Sequence, residues 1–304
     1  MPPPSTSILT SPQNPAVKAL LRRRKPRQRR AEGVLLAEGW REVSRAAAAG
    51  LALRELWLCA DPPSAEVKAG APEKPADLMD GHETDLHRLS ERALKVFHAT
   101  PRVFAKLTYH QKPEGILAVF AAPRWDLADW RARPRDGVPP LYLVAVGTEK
   151  PGNLGAMART AAAAGCAGLL AVGPAVDLYN PNALRNSTGA LFSLPTVVVD
   201  EAAALAWLRR EGVRCAAALA DAGRDCFAVD WAGPDPATGR WDPWALVVGP
   251  EHAGLGRAWQ DASAVGLTIP SAAESRGVDS LNAANAAAVL LFDAVRRRRA
   301  VRSA

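Results

Sequence analysis

The chain has 304 residues, which is enough for two domains that each bury a core of their own. Hydrophobic residues make up 48% of the sequence, so its composition excludes a disordered protein, and no apolar run reaches the ~18 residues that a membrane-spanning helix needs. The formal net charge of +7 favours a polyanionic partner. The N-terminus shows no apolar core of a signal peptide, and we therefore expect a cytoplasmic protein.

The cysteines do not favour a zinc site or a disulfide framework. No two of them have CxxC spacing, and the five histidines form no ligand pattern beside them. We therefore expect no metal, and we expect small buried apolar side chains at Cys59, Cys166, Cys215 and Cys226.

The first 30 residues are polar and strongly basic. No acidic residue precedes Glu32, whereas eight cations do: Lys18, Arg22, Arg23, Arg24, Lys25, Arg27, Arg29 and Arg30. Such a run can neutralise the phosphates of a nucleic acid. A solvated basic tail is the other interpretation, and the charge run alone does not decide between them.

Residues 31–121 show mixed helical and strand-like patterns, which predict a small α/β domain. The expected elements are an apolar segment over Val34–Ala37, a helix over Arg41–Ala49, a strand over Leu53–Cys59, a loop over Gly70–Met79, a helix over Ser90–Val96 and a strand over Gly115–Phe120. Residues 122–140 carry four prolines and are predicted to form a linker between domains.

From residue 141 onward strands alternate with helices, a pattern that predicts a parallel sheet covered on both faces. The expected strands are Leu141–Val146, Gly168–Val172, Thr196–Val199, Cys215–Ala220, Ala245–Val248 and Gly266–Ile269. The expected helices are Leu154–Ala164, Asn182–Phe192, Glu201–Glu211 and Leu281–Arg299. In such sheets ligands bind beyond the carboxyl ends of the strands.

Three loops that follow strands carry polar or glycine-rich segments. The first, residues 147–159, contains Asn153, which is well placed to cap the following helix. The second, Gly249–Gly256, lacks the Lys and Ser/Thr of a phosphate-binding loop, which disfavours an NTPase. The third leads through Ser280 and Asn282 into the last helix.

That last helix has a predicted core stripe, formed by Leu281, Ala284, Ala288, Leu291, Phe292 and Val295. Capping explains one polar residue at its start, but not Ser280 and Asn282 together with Asn285. Arg296–Arg299 lies at its end, where cations favour the helix dipole.

The conjunction of the three loops carries a family resemblance. NLGAMAR from Asn153, GPEHAGL from Gly249 and IP…SLNAANAAA from Ile269 stand in this order and at separations that resemble the three motifs of the SpoU/TrmH methyltransferases, within the SPOUT superfamily. RNSTGAL from Arg185 is similar to a further segment of that family.

The N-terminal half takes part in the resemblance as well. NPAVK from Asn14, LAEG from Leu36 and PEGILA from Pro113 resemble the substrate-binding domain of many rRNA 2′-O-methyltransferases. The resemblance thus covers almost the whole chain.

The resemblance implies an α/β architecture in two parts. Residues 141–304 would form a methyltransferase domain with a doubly wound parallel sheet whose C-terminus is threaded into a trefoil knot, a rare feature that periodicity cannot indicate. A smaller α/β substrate-binding domain, residues 1–121 with the basic segment 1–30, would precede the linker 122–140. The resemblance also implies a homodimer, an RNA substrate and S-adenosylmethionine as cofactor, held in the knot.

Site residues are carried over from the family by position. The polar active-site set is Asn153, Arg159, Glu251, Ser280 and Asn282. Cofactor contacts are implied at Gly249, Pro250, Gly254, Ile269, Leu281 and Ala286.

These residue types suit the implied chemistry. A ribose 2′-hydroxyl attacks the methyl carbon of a sulfonium in line, so the enzyme must align two reactants and handle one proton, and no metal is required. In the family the counterpart of Arg159 is proposed to accept that proton. Because arginine is normally protonated, stabilisation of the developing alkoxide is the alternative role. Glu251, Ser280 and Asn282 would hold the substrate and the arginine.

The sequence departs from the family pattern at three places. Ser271–Asp279 puts nine residues where the family usually has six, Ala284 stands where a serine is common, and Asp293 stands where a glutamate is common. These departures put the geometry of the cofactor loop in question.

Other functions compete with rRNA ribose methylation. The same chemistry on tRNA stays open, since the N-terminal domain favours rRNA only by analogy. A non-catalytic RNA-binding protein of the same fold is the second alternative, which the intact polar set argues against. A nucleotide-dependent oxidoreductase is disfavoured because no GxGxxG follows Leu141–Val146.

Overall fold

A computed structural model describes residues 8–60, 83–109, 113–134, 137–173, 177–220, 223–234, 239–250, 253–271 and 281–302. The chain divides into two compact units. The first comprises Met1–Pro123 with Tyr179–Leu184, and the second Arg124–Leu178 with Arg185–Ala304. None of the helices in the described ranges combines the length and the apolarity needed to cross a bilayer.

The first unit is built around a four-stranded sheet of order β1-β4-β2-β3. Its strands are β1 (Val34–Glu38), β2 (Leu53–Cys59), β3 (Lys95–Ala99) and β4 (Ile116–Ala121). Its helices are α1 (Pro15–Arg23), α2 (Pro26–Glu32), α3 (Trp40–Ala48), α4 (Glu83–Arg92) and α5 (Pro101–Leu107). Both neighbours of β4 run antiparallel to it, whereas β3 runs parallel to β2.

The interpretation of the basic segment as a solvated tail is wrong for its second half, because α1 and α2 occupy that region. Asn14 caps α1 by accepting a hydrogen bond from the Ala16 N–H at 2.9 Å. Val17 and Leu20 are fully buried in the apolar core of the unit. The segment is therefore part of the folded domain.

The helix predicted over Ser90–Val96 is right only up to Arg92. Helix α4 ends at Arg92, and the chain from Lys95 pairs with β2 in parallel register. Phe97 stacks on Trp57 with ring centroids 4.3 Å apart. This cross-strand pairing, which local periodicity does not report, determines the backbone of β3. The predicted loop over 70–79 lies outside the described residues.

The second unit contains a seven-stranded sheet of order β7-β6-β5-β10-β8-β11-β9, in which all the described pairings are parallel. The strands are β5 (Leu141–Val146), β6 (Gly168–Val172), β7 (Thr196–Val199), β8 (Arg214–Ala218), β9 (Arg224–Asp225), β10 (Trp244–Val248) and β11 (Val265–Thr268). The helices from residue 141 onward are α6 (Pro151–Ala163), α7 (Pro181–Ser187), α8 (Ala190–Ser193), α9 (Glu201–Arg210), α10 (Arg257–Ala262) and α11 (Ala283–Arg302).

Part of the predicted linker packs onto this unit. The Trp130 ring lies 6.1 Å from that of Tyr142 and 5.9 Å from that of Trp207, between centroids. Gly168 makes room for it, since a Cβ there would lie 2.5 Å from Trp130 Cη2. Burial raises the pKa of Tyr142 to about 12, with a smaller contribution from Glu211. Residues around Trp130 thus belong to the core of the second unit.

The helix predicted over Asn182–Phe192 is two helices, because the backbone turns at Thr188 and Gly189, whose φ values are 47° and 94°. The predicted core stripe of α11 is only partly right. Phe292 is 48% exposed and Leu281, which precedes the helix, is 47% exposed. The buried apolar residues of α11 are Ala284, Ala287, Leu290, Leu291 and Ala294.

The arginines at the end of α11 hold neighbouring backbone and acidic groups. Arg297 binds the carboxylates of Asp293 and Asp230, with N–O distances of 2.8 and 2.7 Å. Arg298 donates to the carbonyl oxygens of Ala232 and Pro139 at 2.9 and 2.7 Å. The cluster therefore anchors the last helix, a stronger role than the favourable helix dipole expected for it.

Candidate active site

The strand order of the large sheet reverses between β5 and β10. From β5 the chain proceeds to β6 and β7 on one side, whereas β8, β9, β10 and β11 all lie on the other side. In parallel α/β sheets ligands bind beyond the carboxyl ends of the strands at such a switch point. The loops after β5 and β10 therefore flank the position where this topology favours a ligand.

These two loops contact each other. Gly147, directly after β5, has a φ of 59°, and a Cβ there would lie 3.4 Å from Pro250 Cγ. A Cβ on Gly249 would lie 3.0 Å from the Gly254 carbonyl carbon and from Leu255 N. The Gly254 N–H donates to the Pro250 carbonyl oxygen at 3.1 Å. Since these distances to backbone atoms are shorter than most Cβ contacts, position 249 favours a glycine.

The first and third loops meet through two asparagine side chains. Asn282 Nδ2 donates a hydrogen bond to Asn153 Oδ1 at 3.3 Å. The Oδ1 of Asn282 accepts from the Ala284 N–H at 2.9 Å, so the same amide also caps α11. Helices α6 and α11 pack against each other, which brings these residues together although 129 positions separate them.

The expectation that Asn153 caps α6 is wrong. The helix begins at Pro151, three residues before the predicted Leu154, and Lys150 occupies the cap position. Proline is favoured at the first helical position because its missing N–H would have no helical partner and its φ is preset for a helix. Asn153 therefore lies inside the first turn, and its side chain is available for Asn282.

Arg159 does not share the helix face of Asn153. It follows Asn153 by six residues, which at 3.6 residues per turn places the two side chains about 120° apart around α6 and about 9 Å apart along its axis. The side chain is exposed and makes no hydrogen bond or ion pair with another residue in the described ranges. The structure therefore does not bring Arg159 to the asparagine pair.

The third loop supplies an apolar contribution. Ile269, just after β11, is half-buried, and Leu281 is 47% exposed. Ala286 is half-buried, and its N–H donates to the Asn282 carbonyl oxygen at 2.9 Å in the first turn of α11. Glu251 and Ser280, which complete the predicted polar set, lie outside the described residues.

Sequence reasoning assigned no role to two residues beside the first loop. A Cβ on Gly152 would lie 3.6 Å from Asn186 Nδ2, so Asn186 lies beside the first turn of α6. Arg159 follows Gly152 by seven residues, or about two turns, and therefore lies on the same face of α6. Thr188 holds a left-handed φ of 47°, uncommon for a β-branched residue. Only the resemblance of RNSTGAL to a family segment marked this stretch.

The described residues of the site offer amide and apolar groups. Within the part of the chain that the structure describes, no three His, Cys, Asp or Glu side chains are grouped so that they could hold a metal ion. Instead, the loops present amides, tight glycine turns and apolar side chains. Such a set suits an organic ligand held by backbone contacts and apolar packing.

Comparison with known families gives two matches that together cover most of the chain. Residues 140–292 match the model of the SpoU rRNA methylase family. Residues 14–118 match the MRM3-like substrate-binding domain. The first match includes all three loops of the site.

Individual proteins show the same similarity. The 23S rRNA (uridine(2479)-2'-O)-methyltransferase of Streptomyces viridochromogenes is 38% identical over 51% of this chain, and the match spans about half, 52%, of that relative's length. The 23S rRNA (guanosine-2'-O-)-methyltransferase RlmB of Xylella fastidiosa is 31% identical over 77% of this chain and 88% of its own.

Solved structures align over nearly the full length. A crystal structure of an RNA 2'-O ribose methyltransferase is 33% identical, with a TM-score of 0.73, over 96% of this chain and 99% of that one. The SpoU methyltransferase AviRb from Streptomyces viridochromogenes in complex with AdoMet is 28% identical, with a TM-score of 0.72, over 93% and 98% of the two chains.

Proposed function

The chain belongs to the SpoU rRNA methylase family, and we propose on this basis that it methylates a ribose 2′-hydroxyl of ribosomal RNA with S-adenosylmethionine. The observation that carries the proposal is the meeting of Asn153 with Asn282 beside the strand switch point, where Gly147 contacts Pro250. Family membership and this geometry thus favour an active site at the same place, beyond the carboxyl ends of β5 and β10.

The loops fit the cofactor that the family uses. The close approach of Gly249 to Gly254 brings the main chain to the surface of the site, where its polar groups can recognise the cofactor. Ile269 and Leu281 offer partly exposed apolar side chains for its base. Pro250 and Ala286 complete the set of residues proposed to contact the cofactor. Bound S-adenosylmethionine supplies an activated methyl group on a sulfonium, so the protein itself needs no covalent nucleophile.

The task of the protein is to hold the ribose hydroxyl in line and to manage its proton. Asn282 is rigid, because its side chain is fixed by both the Ala284 N–H and Asn153. A rigid amide beside the switch point is suited to orienting a substrate hydroxyl or the cofactor. Glu251 and Ser280, carried over from the family, would complete the polar wall.

Arg159 is best suited to an electrostatic role. An arginine side chain is normally protonated, and that of Arg159 is exposed. Its planar fork of N–H donors suits an RNA phosphate or the oxygen on which negative charge develops. We therefore propose that Arg159 orients and stabilises the substrate and does not accept the proton.

The first unit would present the RNA to this site. The MRM3-like domain match covers residues 14–118, and we propose that residues 1–121 form the substrate-binding domain and residues 141–304 the methyltransferase domain. A homodimer is part of the proposal, supported by the partly exposed Phe292 on α11 and Leu281 just before it. The trefoil knot of the C-terminal segment and a cytoplasmic location are proposed on the family resemblance and the sequence.

Methyl transfer to purified RNAs tests the proposal. The full-length protein is incubated with S-adenosylmethionine carrying a labelled methyl group and with ribosomal RNA or bulk tRNA, and the nucleosides are then analysed. We expect label in a 2′-O-methylated nucleoside of ribosomal RNA. Label in tRNA alone would assign the tRNA alternative, and cofactor and RNA binding without transfer would assign a non-catalytic binding protein.

The base that is modified does not follow from the relatives, because one of those described acts on uridine and the other on guanosine. The same nucleoside analysis identifies it.

A further inference from the structure

Seven of the eight cations before Glu32 fall into two structural groups. Arg29 is 2% exposed, and its guanidinium donates to the carbonyl oxygens of Arg23 and Arg24 at 3.0 and 2.6 Å. Arg23 is bound to the carboxylates of Glu32 and Glu55 at 2.6 and 2.8 Å. These contacts close the turn between α1 and α2, so this first group builds the fold.

Arg24 is also fixed in place. Its guanidinium lies 4.3 Å from the centroid of the Tyr109 ring and donates to the Lys106 carbonyl oxygen at 3.1 Å. The Tyr109 hydroxyl donates back to the Arg24 carbonyl oxygen at 2.9 Å. The turn between α1 and α2 is therefore held against the segment that follows α5.

The second group lies on α1, at the cap position of α2 and in the first turn of α2. Lys18, Arg22, Lys25 and Arg27 are exposed, and their side chains make no hydrogen bond with another residue in the described ranges. We call these four residues the cationic corner.

Local stability accounts only for Arg22 of the cationic corner, which lies in the last turn of α1 and attracts the Glu32 carboxylate. Lys18 and Arg22 are spaced i, i+4 on α1, where like charges repel and destabilise a helix. No acidic residue stands in the first turn of either helix, and Glu32 is engaged by Arg23. Burial would raise the pKa of Glu32, but hydrogen bonds from Gln28 and Arg23 outweigh burial and lower the pKa. The charged carboxylate is therefore already bound to these two side chains.

We propose that the cationic corner binds the phosphate backbone of the RNA substrate. A fixed set of exposed cations on a folded surface gains by neutralising phosphates and releasing their counterions, and it loses less conformational freedom on binding than a tail would. The inference rests on the proposed function, since the corner lies within the region that matches a substrate-binding domain. It specifies which surface of that domain contacts RNA.

Binding to ribosomal RNA as a function of salt tests the inference. The full-length triple variant Arg22→Gln, Lys25→Gln, Arg27→Gln is compared with wild type between about 50 and about 500 mM KCl, a range of one decade. Each lost phosphate contact removes about 0.7–0.9 from the slope of log affinity against log salt, so we expect the slope to flatten by about 2 to 3. Affinity for S-adenosylmethionine should not change.

A matched control removes three exposed cations from elsewhere in the same unit: Arg88→Gln, Lys95→Gln, Arg102→Gln. It should keep the wild-type slope. Equal slopes for wild type and both variants would overturn the inference. A second outcome would also overturn it: the corner variant binds RNA as wild type does but no longer binds polyglutamate. The cationic corner would then bind an acidic protein.

The two proposals fail separately. If wild type binds RNA but never transfers a methyl group, the proposed function is wrong. The salt slopes of wild type and the corner variant still show whether the cationic corner contacts RNA phosphates. If wild type methylates RNA and the corner variant keeps its salt slope, only the corner assignment is wrong. Equal melting temperatures of the two variants show that each is folded.

Discussion

Asn282 caps α11 with its Oδ1 and reaches Asn153 on α6 with its Nδ2, at 3.3 Å. One side chain thus has a local role that stabilises the helix and a long-range role that joins two loops of the site. The two roles use different atoms, and this makes them separable by substitution.

The Asn282→Asp variant should separate the roles. A carboxylate still accepts the Ala284 N–H, so stability should stay near wild type, but it cannot donate to Asn153 Oδ1. We expect turnover on RNA to fall by on the order of tenfold or more, because a positioning contact is replaced by repulsion between oxygens. Asn282→Ala loses the cap as well and should cost about 1 kcal/mol of stability. Wild-type turnover of Asn282→Asp, in steady-state kinetics, would contradict a positioning role.

Arg159→Ala should leave the affinity for S-adenosylmethionine nearly intact and lower turnover on RNA by a factor on the order of 10² or more, as for a lost electrostatic donor. Arg159→Lys keeps the charge but loses the planar fork, so poor rescue indicates that geometry matters beyond charge. Kinetics with saturating RNA and cofactor check both variants. Near-wild-type turnover of Arg159→Ala would make Arg159 an ordinary surface residue of α6.

Asp293 should make the stability of the second unit depend on acid pH. Its carboxylate is almost fully buried and accepts hydrogen bonds from Trp231 Nε1 at 3.1 Å and Arg297 Nε at 2.8 Å. Burial would raise its pKa, but the hydrogen bonds from Arg297 and Arg296 outweigh it and lower the pKa from its ordinary 3.8. A lowered pKa stabilises the fold above that ordinary value, and the stabilisation is lost as the pH falls through the lowered pKa.

Asp293→Asn should therefore lose about 3 kcal/mol at neutral pH, because it leaves Arg297 without its buried counter-charge. Its stability should also change less than that of wild type between pH 5 and pH 2. Chemical denaturation across this pH range measures both effects. Parallel pH profiles for the two proteins would show that the ion pair contributes nothing.

The homodimer predicts about twice 32.2 kDa in sedimentation at micromolar concentration. Phe292 on α11 is 48% exposed and is proposed to lie in the dimer interface. Phe292→Lys should therefore shift the monomer–dimer equilibrium toward monomer. Val198→Lys, at a comparably exposed apolar residue on β7, is the matched control. A wild-type monomer that retains activity would rule out the dimer as a functional unit.

Much of the fold could be predicted from the sequence where apolar runs are continuous. Strands β5 and β6 have the predicted bounds, because a strand buried on both faces is apolar throughout. Prediction failed where partners distant in sequence decide the structure. Lys95–Ala99 is a strand because it pairs with β2, and Trp130 leaves the predicted linker because Gly168 makes room for its ring.

The site shows the same division. The family resemblance predicted both Asn153 and Asn282 as site residues, but only the packing of α6 on α11 reveals that they form a hydrogen bond. In the basic segment, charge alone could not distinguish Arg29, which is buried, from Arg27, which is exposed. Burial depends on how α1 and α2 turn against each other, a feature absent from the pattern of charges.

The most direct test of the central claim is a map of ribose methylations in total RNA from cells with and without the gene, since 2′-O-methylation protects the adjacent phosphodiester from alkaline cleavage. We predict that one or a few ribosomal RNA positions lose their methyl group without the gene and regain it when wild type, but not Arg159→Ala, is restored. Identical ribosomal RNA maps from the two strains would contradict the assignment of this protein as an rRNA ribose methyltransferase.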